Sequence, residues 1–189
     1  MTSRLWLKKF KLDYDKEIFD IVQFGSSVME ESRSNDVDIA VIFQKIPLNE
    51  QLNQAQEIKK QLQKISELPI HIKSFDLYSF FDVSNFAKEN ILFNGISLIS
   101  KDFFSKKFGL TSKLQILYSL KDLKKKDKIR FNYMLSGKKG KGKYGLLKKY
   151  GGNLICPGLI EINPHHEAIF ISAIKKIISE FKLKKYLSF

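Results

Sequence analysis

The hydrophobic and polar positions of the first hundred residues follow two kinds of pattern. Short runs rich in β-branched and aromatic side chains predict strands. These runs are residues 21–24, 36–43, 70–73 and 96–100. Residues 49–67 carry hydrophobic side chains at steps of three and four and predict an amphipathic helix, and a second helix is predicted over about 84–93. The alternation of strands and helices indicates an α/β (α+β) fold.

The second half of the chain has a less distinct pattern. Two segments fit either a strand or a helix, residues 115–120 and 127–135. They are followed by a glycine-lysine loop at 136–145, a predicted β-hairpin over 154–162 and a predicted amphipathic helix over 168–183. A helix, a basic loop, a hairpin and a helix in this order are typical of a small, winged-helix-like α+β module.

The composition allows one full domain or two small ones with a packed core. The chain has 189 residues, of which 43% are hydrophobic and 28% charged. Its single cysteine, Cys156, excludes an intramolecular disulfide and a CxxC site. No apolar run approaches the roughly 18 residues that cross a bilayer, and the charges in residues 1–17 do not fit a signal peptide. We therefore expect a cytoplasmic protein without a membrane partner.

Basic charge is concentrated in the second half. Residues 1–100 carry 12 basic and 14 acidic side chains, residues 101–189 carry 21 and 6, and the net charge is +13. This division predicts a first domain of residues 1–100 and a basic module of residues 101–189. The excess indicates a nucleic-acid partner, with a lysine-rich, solvated surface as the alternative. The side chains expected to bind nucleic-acid phosphates are Lys124, Lys125, Lys126, Arg130, Lys138, Lys139, Lys141, Lys143, Lys148 and Lys149.

Four aromatic residues are interleaved with these lysines. They are Phe131, Tyr133, Tyr144 and Tyr150. Aromatic rings beside lysines can stack on unpaired bases. The first two lie in a hydrophobic stretch, however, so we expect the rings to belong to the core.

The candidate chemistry lies in residues 24–43. Gly25-Ser26 is followed after nine residues by Asp36-Val37-Asp38, and the run Ile39 to Phe43 continues the predicted strand. Alternate side chains of a strand share a face, so the two carboxylates lie together, and their repulsion favours a cation between them. Mg²⁺ and Mn²⁺ prefer such oxygen ligands, and a Gly-Ser turn suits phosphate oxygens. In the alternative, Asp36 caps a turn and Asp38 faces solvent on an edge strand.

The run FGSSVMEESRSNDVDIAVIF resembles the signature of the DNA polymerase β-type nucleotidyltransferase superfamily, and especially its minimal members. That signature is an apolar residue, Gly-Ser, a spacer and Asp-x-Asp in a strand. The segment ENILFNGISLIS is similar to the end of the minimal domain. The resemblance covers residues 15–100. It implies a mixed sheet with flanking helices and transfer of a nucleoside monophosphate from a nucleoside triphosphate to a hydroxyl group.

The resemblance also implies roles for individual residues. The triphosphate, with ATP as the expected nucleotide, would be bound by Gly25, Ser26, Ser27 and Arg33. The catalytic divalent metal, Mg²⁺ or Mn²⁺, would be held by Asp36 and Asp38.

The sequence departs from the family pattern at the third carboxylate. The matching strand position is occupied by His71, and Asp76 follows five residues later. Either His71 or Asp76 completes the site, or catalysis is weakened. The Arg-Gly pair that minimal members carry after Gly-Ser is also replaced, which leaves Arg33 as the nearby cation.

These features predict a metal-dependent nucleotidyltransferase whose acceptor is a nucleic acid, with RNA favoured. Two alternatives stay open. One is a minimal nucleotidyltransferase of antitoxin type that adds AMP to a protein. The other is a catalytically degenerate module that binds nucleic acid, and His71 in place of aspartate is the feature behind it.

Overall fold

The computed structural model describes residues 4–29, 34–138 and 143–189. The chain forms two compact units, residues 1–110 and 111–189. The lysine-rich composition therefore begins at residue 101, before the boundary between the two units. Residues 101–110 belong to the first unit, and their Phe104 is fully buried in its core. Fifteen basic and fifteen acidic residues fall in the first unit, against eighteen and five in the second. The second unit thus carries the whole charge excess.

The first unit contains one four-stranded mixed sheet. Its elements are β1 (Ile18–Phe24), β2 (Val37–Phe43), α1 (Leu48–Gln63), β3 (Ile70–Asp76), α2 (Leu77–Phe81), α3 (Ala87–Asn94) and β4 (Ile96–Ser97). The strand order is β3-β2-β1-β4. Strand β2 is parallel to β3 and antiparallel to β1, and β4 is antiparallel to β1. The predicted α+β class is confirmed.

The two faces of this sheet have separate cores. On one face Ile39 and Val41 pack with the apolar side of α1, including Ile58. On the other face Ala40 and Ile42 pack with residues from α2, α3 and the segment that follows β4. Asp38 shares this second face because it is separated from Ala40 by one residue. It lies near the start of β2 and is only half-buried.

Several predicted boundaries in the first unit are wrong for local reasons. The helix expected over 84–93 begins at Ala87, whose backbone N–H donates to the Asn85 side chain in the preceding turn. Helix α2 is not among the predicted elements. The strand expected over 96–100 ends after Ser97, because the Ser97 hydroxyl accepts the backbone N–H groups of Ile99 and Ser100 and forms a turn.

The second unit contains an antiparallel four-stranded sheet and a short hairpin. Its elements are β5 (Thr111–Tyr118), α4 (Lys125–Ser136), β6 (Gly137–Lys138), β7 (Lys143–Tyr144), α5 (Leu146–Lys149), β8 (Asn153–Cys156), β9 (Leu159–Ile162), α6 (Glu167–Lys175) and β10 (Phe181–Ser188). The sheet order is β10-β5-β9-β8, and β6 pairs with β7. One core gathers Leu114 and Ile116 with Phe131, Leu147 and Phe170 from the helices.

This topology resolves the two ambiguous segments and corrects two predictions. Residues 115–120 lie mostly in a strand and residues 127–135 in a helix, and the predicted hairpin is confirmed. The helix predicted over 168–183 is wrong beyond Lys175, because residues 181–188 pair with β5 as an edge strand. That pairing replaces the winged-helix-like arrangement with an antiparallel sheet. No helix in the described parts of either unit is long and apolar enough to span a bilayer.

Candidate active site

The Gly-Ser turn lies against the carboxylate of Asp38. Strand β1 ends at Phe24, and a 3₁₀ helix, Gly25–Val28, follows directly. Gly25 has a φ of +76°, in the region that favours glycine. A Cβ atom at this position would lie 2.5 Å from Oδ2 of Asp38. Glycine therefore suits the backbone turn and leaves room for the carboxylate of Asp38.

The two serines of the turn have different environments. Ser26 is exposed, and its hydroxyl oxygen lies 3.1 Å from that of Ser34. Ser27 is buried; its hydroxyl donates to the carbonyl oxygen of Phe24 at 3.1 Å and accepts from the Gln23 amide at 2.9 Å. Ser26 can therefore meet a ligand, whereas Ser27 holds the turn together. Arg33, the expected nearby cation, lies outside the described residues.

Asp36 and Asp38 form a pair of neighbouring negative charges at the start of a central strand. Asp38 lies in register with Phe24 on one side and His71 on the other, so it is not on an edge strand. Burial raises the pKa of the Asp38 carboxyl, and the negative charge of Asp36 raises it further. Two like charges this close destabilise each other, and a cation bound between them would relieve the repulsion.

His71 lies at the strand position where the resemblance predicts a third carboxylate. Its Nδ1 atom lies 3.3 Å from Oδ2 of Asp36, and its side chain is 62% exposed. Asp76 is five residues further along the same strand, which corresponds to about 16 Å and to the opposite face. Its side chain accepts the backbone N–H of Ser79 and caps α2. Of the two alternatives, the geometry brings only His71 to the carboxylate pair.

Lys73 is a further positively charged side chain near the carboxylates that sequence reasoning missed. It follows His71 on the same face of β3, is exposed, and acts with His71 to lower the pKa of Asp38 against the effect of burial. The sequence signal for Lys73 was the alternation of side chains along a strand, which puts residues 71, 73 and 75 on one face of β3. A positive side chain next to the carboxylates can bind a phosphate oxygen that lies beside them.

The pair Asp36 and Asp38 fits a hard cation that keeps part of its hydration. Among the residues that the structure describes, no group of three or more His, Cys, Asp and Glu side chains could hold a metal ion. Mg²⁺ in nucleotide-dependent enzymes is often bound by one or two carboxylates together with substrate phosphates and water. The donor set here is of that kind, because it leaves most ligand positions to the substrate.

The second unit carries the predicted basic side chains on three neighbouring elements. We call this the basic surface; it comprises Lys124, Lys125, Lys126, Arg130, Lys138, Lys148 and Lys149. All of them are exposed, on α4 and the residue before it, on β6 and on α5. The side chain of Lys143 and the residues Lys139 and Lys141 lie outside the described part of the chain.

The aromatic residues of this region are divided between core and surface. Phe131 is fully buried, as expected, and packs against Tyr118. The expectation is wrong for Tyr133 and Tyr144, which are 47% and 68% exposed. Lys148 lies 4.1 Å from the ring centre of Tyr144, and Lys138 lies over the ring of Tyr133. Exposed rings beside lysines are a surface on which an unpaired base can stack.

Replacement of Gly25 by alanine is expected to lower the free energy of unfolding by at least about 2 kcal/mol. The Cβ atom both strains the backbone and displaces the Asp38 carboxylate. Gly109→Ala is the matched control, since Gly109 has a φ of +70° with no atom within 4 Å of the added Cβ. It should lose only about 1 kcal/mol. Urea unfolding measures both free energies, and equal losses of stability in the two variants would show that the contact with Asp38 does not affect stability.

Comparison of the chain with protein-family models, with curated proteins and with solved structures finds no match. The residues of the site are therefore the basis on which a function is inferred.

Proposed function

We propose that this protein is a metal-dependent nucleotidyltransferase that transfers a nucleoside monophosphate from a nucleoside triphosphate, with ATP as the expected donor, to a hydroxyl group, releasing pyrophosphate. One observation carries the proposal. A Gly-Ser turn packs directly against one of two neighbouring carboxylates, with His71 and Lys73 on the adjoining strand. This combination serves phosphoryl-type transfer, in which catalysis consists mainly of positioning and charge neutralisation.

Each group then has a distinct task. Gly25 keeps the turn close to Asp38, and the exposed Ser26 hydroxyl donates to a phosphate oxygen. Asp36 and Asp38 hold the divalent cation. When bound, Mg²⁺ or Mn²⁺ supplies positive charge that offsets the charge developing on the phosphate oxygens. Without such a cation, the two carboxylates would repel the triphosphate.

His71 replaces the group that serves the attacking hydroxyl in the related enzymes. A neutral imidazole can accept the proton of that hydroxyl, and Asp36 lies close enough to its Nδ1 atom to orient the ring. This arrangement leaves Nε2 as the proton acceptor. The acceptor hydroxyl is therefore placed on the β3 side of the carboxylates.

The acceptor best suited to the charge distribution is a nucleic acid, with RNA favoured. The first unit is electrically balanced, and the charge excess lies in the second unit with the basic surface. Lysines there bind backbone phosphates, and the exposed Tyr133 and Tyr144 stack on bases. A protein acceptor would gain nothing from this concentration of positive charge unless it were strongly acidic.

The proposal is tested by incubation of the protein with each α-labelled nucleoside triphosphate, Mg²⁺ or Mn²⁺ and total cellular RNA. We expect the label to appear on RNA, with ATP as the preferred donor and with complete loss of transfer in EDTA. Label on a protein of an added cell extract instead would establish the AMP-adding alternative. RNA binding without transfer to any species would overturn the proposal in favour of a binding module, which His71 in place of aspartate favours.

Reversal of charge on the basic surface is expected to weaken RNA binding and its salt dependence. In Lys138→Glu/Lys148→Glu, the slope of log K against log salt should flatten by about 0.7 for each phosphate of a single strand that the protein no longer neutralises. Lys182→Glu/Lys184→Glu, with the same charge change on exposed positions of β10, is the control. Fluorescence anisotropy at several salt concentrations measures the slopes. Identical slopes for the two variants would show that the basic surface does not bind RNA phosphates.

A further inference from the structure

A pocket of about 630 Å³ in the first unit begins beside the candidate active site. Its lining includes Lys73, Phe75, Tyr78, Asn85 and Phe86. The volume lies within the range of pockets that enclose small organic ligands. Another depression, of about 440 Å³, is lined by residues of α1 and contains none of the candidate site residues.

The pocket begins two residues beyond His71 along β3, whereas the Gly-Ser turn follows β1 on the other side of β2. Phe24, immediately before the turn, is the register partner of Asp38 on β1, and His71 is its partner on β3. Lys73 and Phe75 continue the face of β3 on which His71 lies. The order across the sheet is therefore the turn at the end of β1, the carboxylates at the start of β2 and His71 on β3, and the pocket lies further along β3.

Two aromatic side chains of the pocket are almost fully exposed. Tyr78 on α2 is 82% exposed, and Phe86 in the following loop is 95% exposed. Isolated exposed rings are common, but here both line one pocket beside a cluster of charged groups. Exposed rings that line one pocket beside charged groups are a surface on which a planar ligand can stack.

The loop that carries Phe86 is held in place by its own hydrogen bonds. Lys88 donates to the carbonyl oxygens of Phe81 and Asp82, at 3.1 and 2.8 Å. The Asn85 amide donates to the carbonyl oxygen of Phe80 at 2.9 Å, and Ser84 donates to the Asp82 carboxylate. The pocket is thus preformed. Because these polar groups are engaged within the loop, the pocket offers exposed rings for stacking rather than free loop groups for hydrogen bonds to a base edge.

We propose that this pocket binds the unpaired terminal nucleotide of the acceptor strand, with its base stacked on Tyr78 and Phe86 and its phosphate beside Lys73. The inference rests on the proposed function. In transfer to phosphorus the attacking and leaving oxygens lie roughly in line. Pyrophosphate leaves on the side of the Gly-Ser turn, so the attacking hydroxyl comes from the side of His71 and the pocket. The acceptor oxygen forms its bond to phosphorus, the bond to pyrophosphate breaks, and His71 takes the proton.

Binding of a strand end can be measured without any turnover. The probe is an RNA oligonucleotide with 2-aminopurine as its 3′-terminal base, titrated with the full chain in the absence of nucleoside triphosphate. We expect stacking to quench the fluorescence, and Tyr78→Ala or Phe86→Ala to weaken binding about tenfold and to abolish the quenching. Val83→Ala is the control, because Val83 is 93% exposed in the same loop and does not line the pocket.

Further probes distinguish binding of an unpaired terminal base in the pocket from other causes of quenching. A DNA oligonucleotide with the same terminal base shows whether the 2′-hydroxyl contributes, and quenching by either strand supports the pocket. Equal quenching of a terminal base that is paired in a blunt duplex would overturn the proposal that the pocket binds an unpaired base. Unchanged quenching in both aromatic variants would also overturn it, even if RNA transfer is observed. Quenching by a protein that transfers no label would instead overturn the proposed function and leave the pocket as a binding site.

Discussion

Asp36→Asn and Asp38→Asn are each expected to reduce the metal-dependent transfer of label to RNA by about 100-fold or more. Each substitution keeps the shape of the side chain and removes one of the two negative charges that we propose hold the cation. Because burial and the charge of Asp36 both disfavour the ionised form of Asp38, its replacement removes an unfavourable interaction from the folded state. Labelled-nucleotide transfer and urea unfolding, measured on the same preparations, check the two effects.

The expected signature is therefore lost activity with unchanged or increased stability. A structural role would give the opposite result, since removal of a stabilising carboxylate lowers the free energy of unfolding. Asp102→Asn is the matched control, because Asp102 lies in the same unit and forms an exposed ion pair with Lys106. It should leave transfer unchanged. Near-normal transfer by either of the two site variants would exclude Asp36 and Asp38 as metal ligands.

The sequence predicted the centre of the first unit well because its pattern there is unambiguous. The run from Asp36 to Phe43 is rich in β-branched residues and apolar at every position from Ile39, as in a central strand, and the helix α1 has a clear apolar side. The pairing partners of β2 were not predictable in the same way, since register depends on residues distant in the chain. That register is what places His71 beside Asp38.

The structural role of Ser27 and the C-terminal strand were not predicted, because both depend on contacts that a single-sequence pattern does not show. The buried role of Ser27 depends on Gln23, whose amide oxygen also accepts the backbone N–H of Leu5. The helix predicted over 168–183 overlaps the first three residues of β10 because Ile177, Ile178 and Phe181 continue its apolar spacing, and only pairing with β5 shows that a strand begins at Phe181. In contrast, the exclusion of Asp76 was available from the sequence, because residues 71 and 76 of one strand face opposite sides.

A buried ion pair joins the end of the first unit to β1, the strand that leads into the Gly-Ser turn. Asp20 is fully buried, and its carboxylate accepts the Ser97 hydroxyl at 2.7 Å and lies 2.9 Å from the Lys107 amine. Burial raises the pKa of the Asp20 carboxyl, although Lys107 and Ser97 act against it. Lys107 also donates to the carbonyl oxygen of Phe19 at 2.8 Å. The strand depends on this lysine for neutralisation of a buried charge.

Lys107→Met is expected to lower the free energy of unfolding by about 3 kcal/mol at neutral pH. The substitution keeps most of the aliphatic stem but leaves the Asp20 charge buried without its cation. Lys106→Met, next to it in the chain, should change the free energy by less than about 1 kcal/mol, because Lys106 pairs with Asp102 at an exposed position. Urea unfolding of the two variants gives both values.

The same ion pair predicts a dependence on pH and a partial rescue. A raised pKa means that the folded state binds a proton at Asp20 more readily than the unfolded chain, whose ordinary value is 3.8. Protonation therefore relieves the buried charge, and the difference between Lys107→Met and the unmodified protein should shrink as the pH falls toward 3.8. Asp20→Asn added to Lys107→Met should recover part of the lost stability, since no charge then remains to be buried. A loss that is independent of pH and unaffected by the second substitution would mean that Lys107 does not act by neutralising the Asp20 carboxylate.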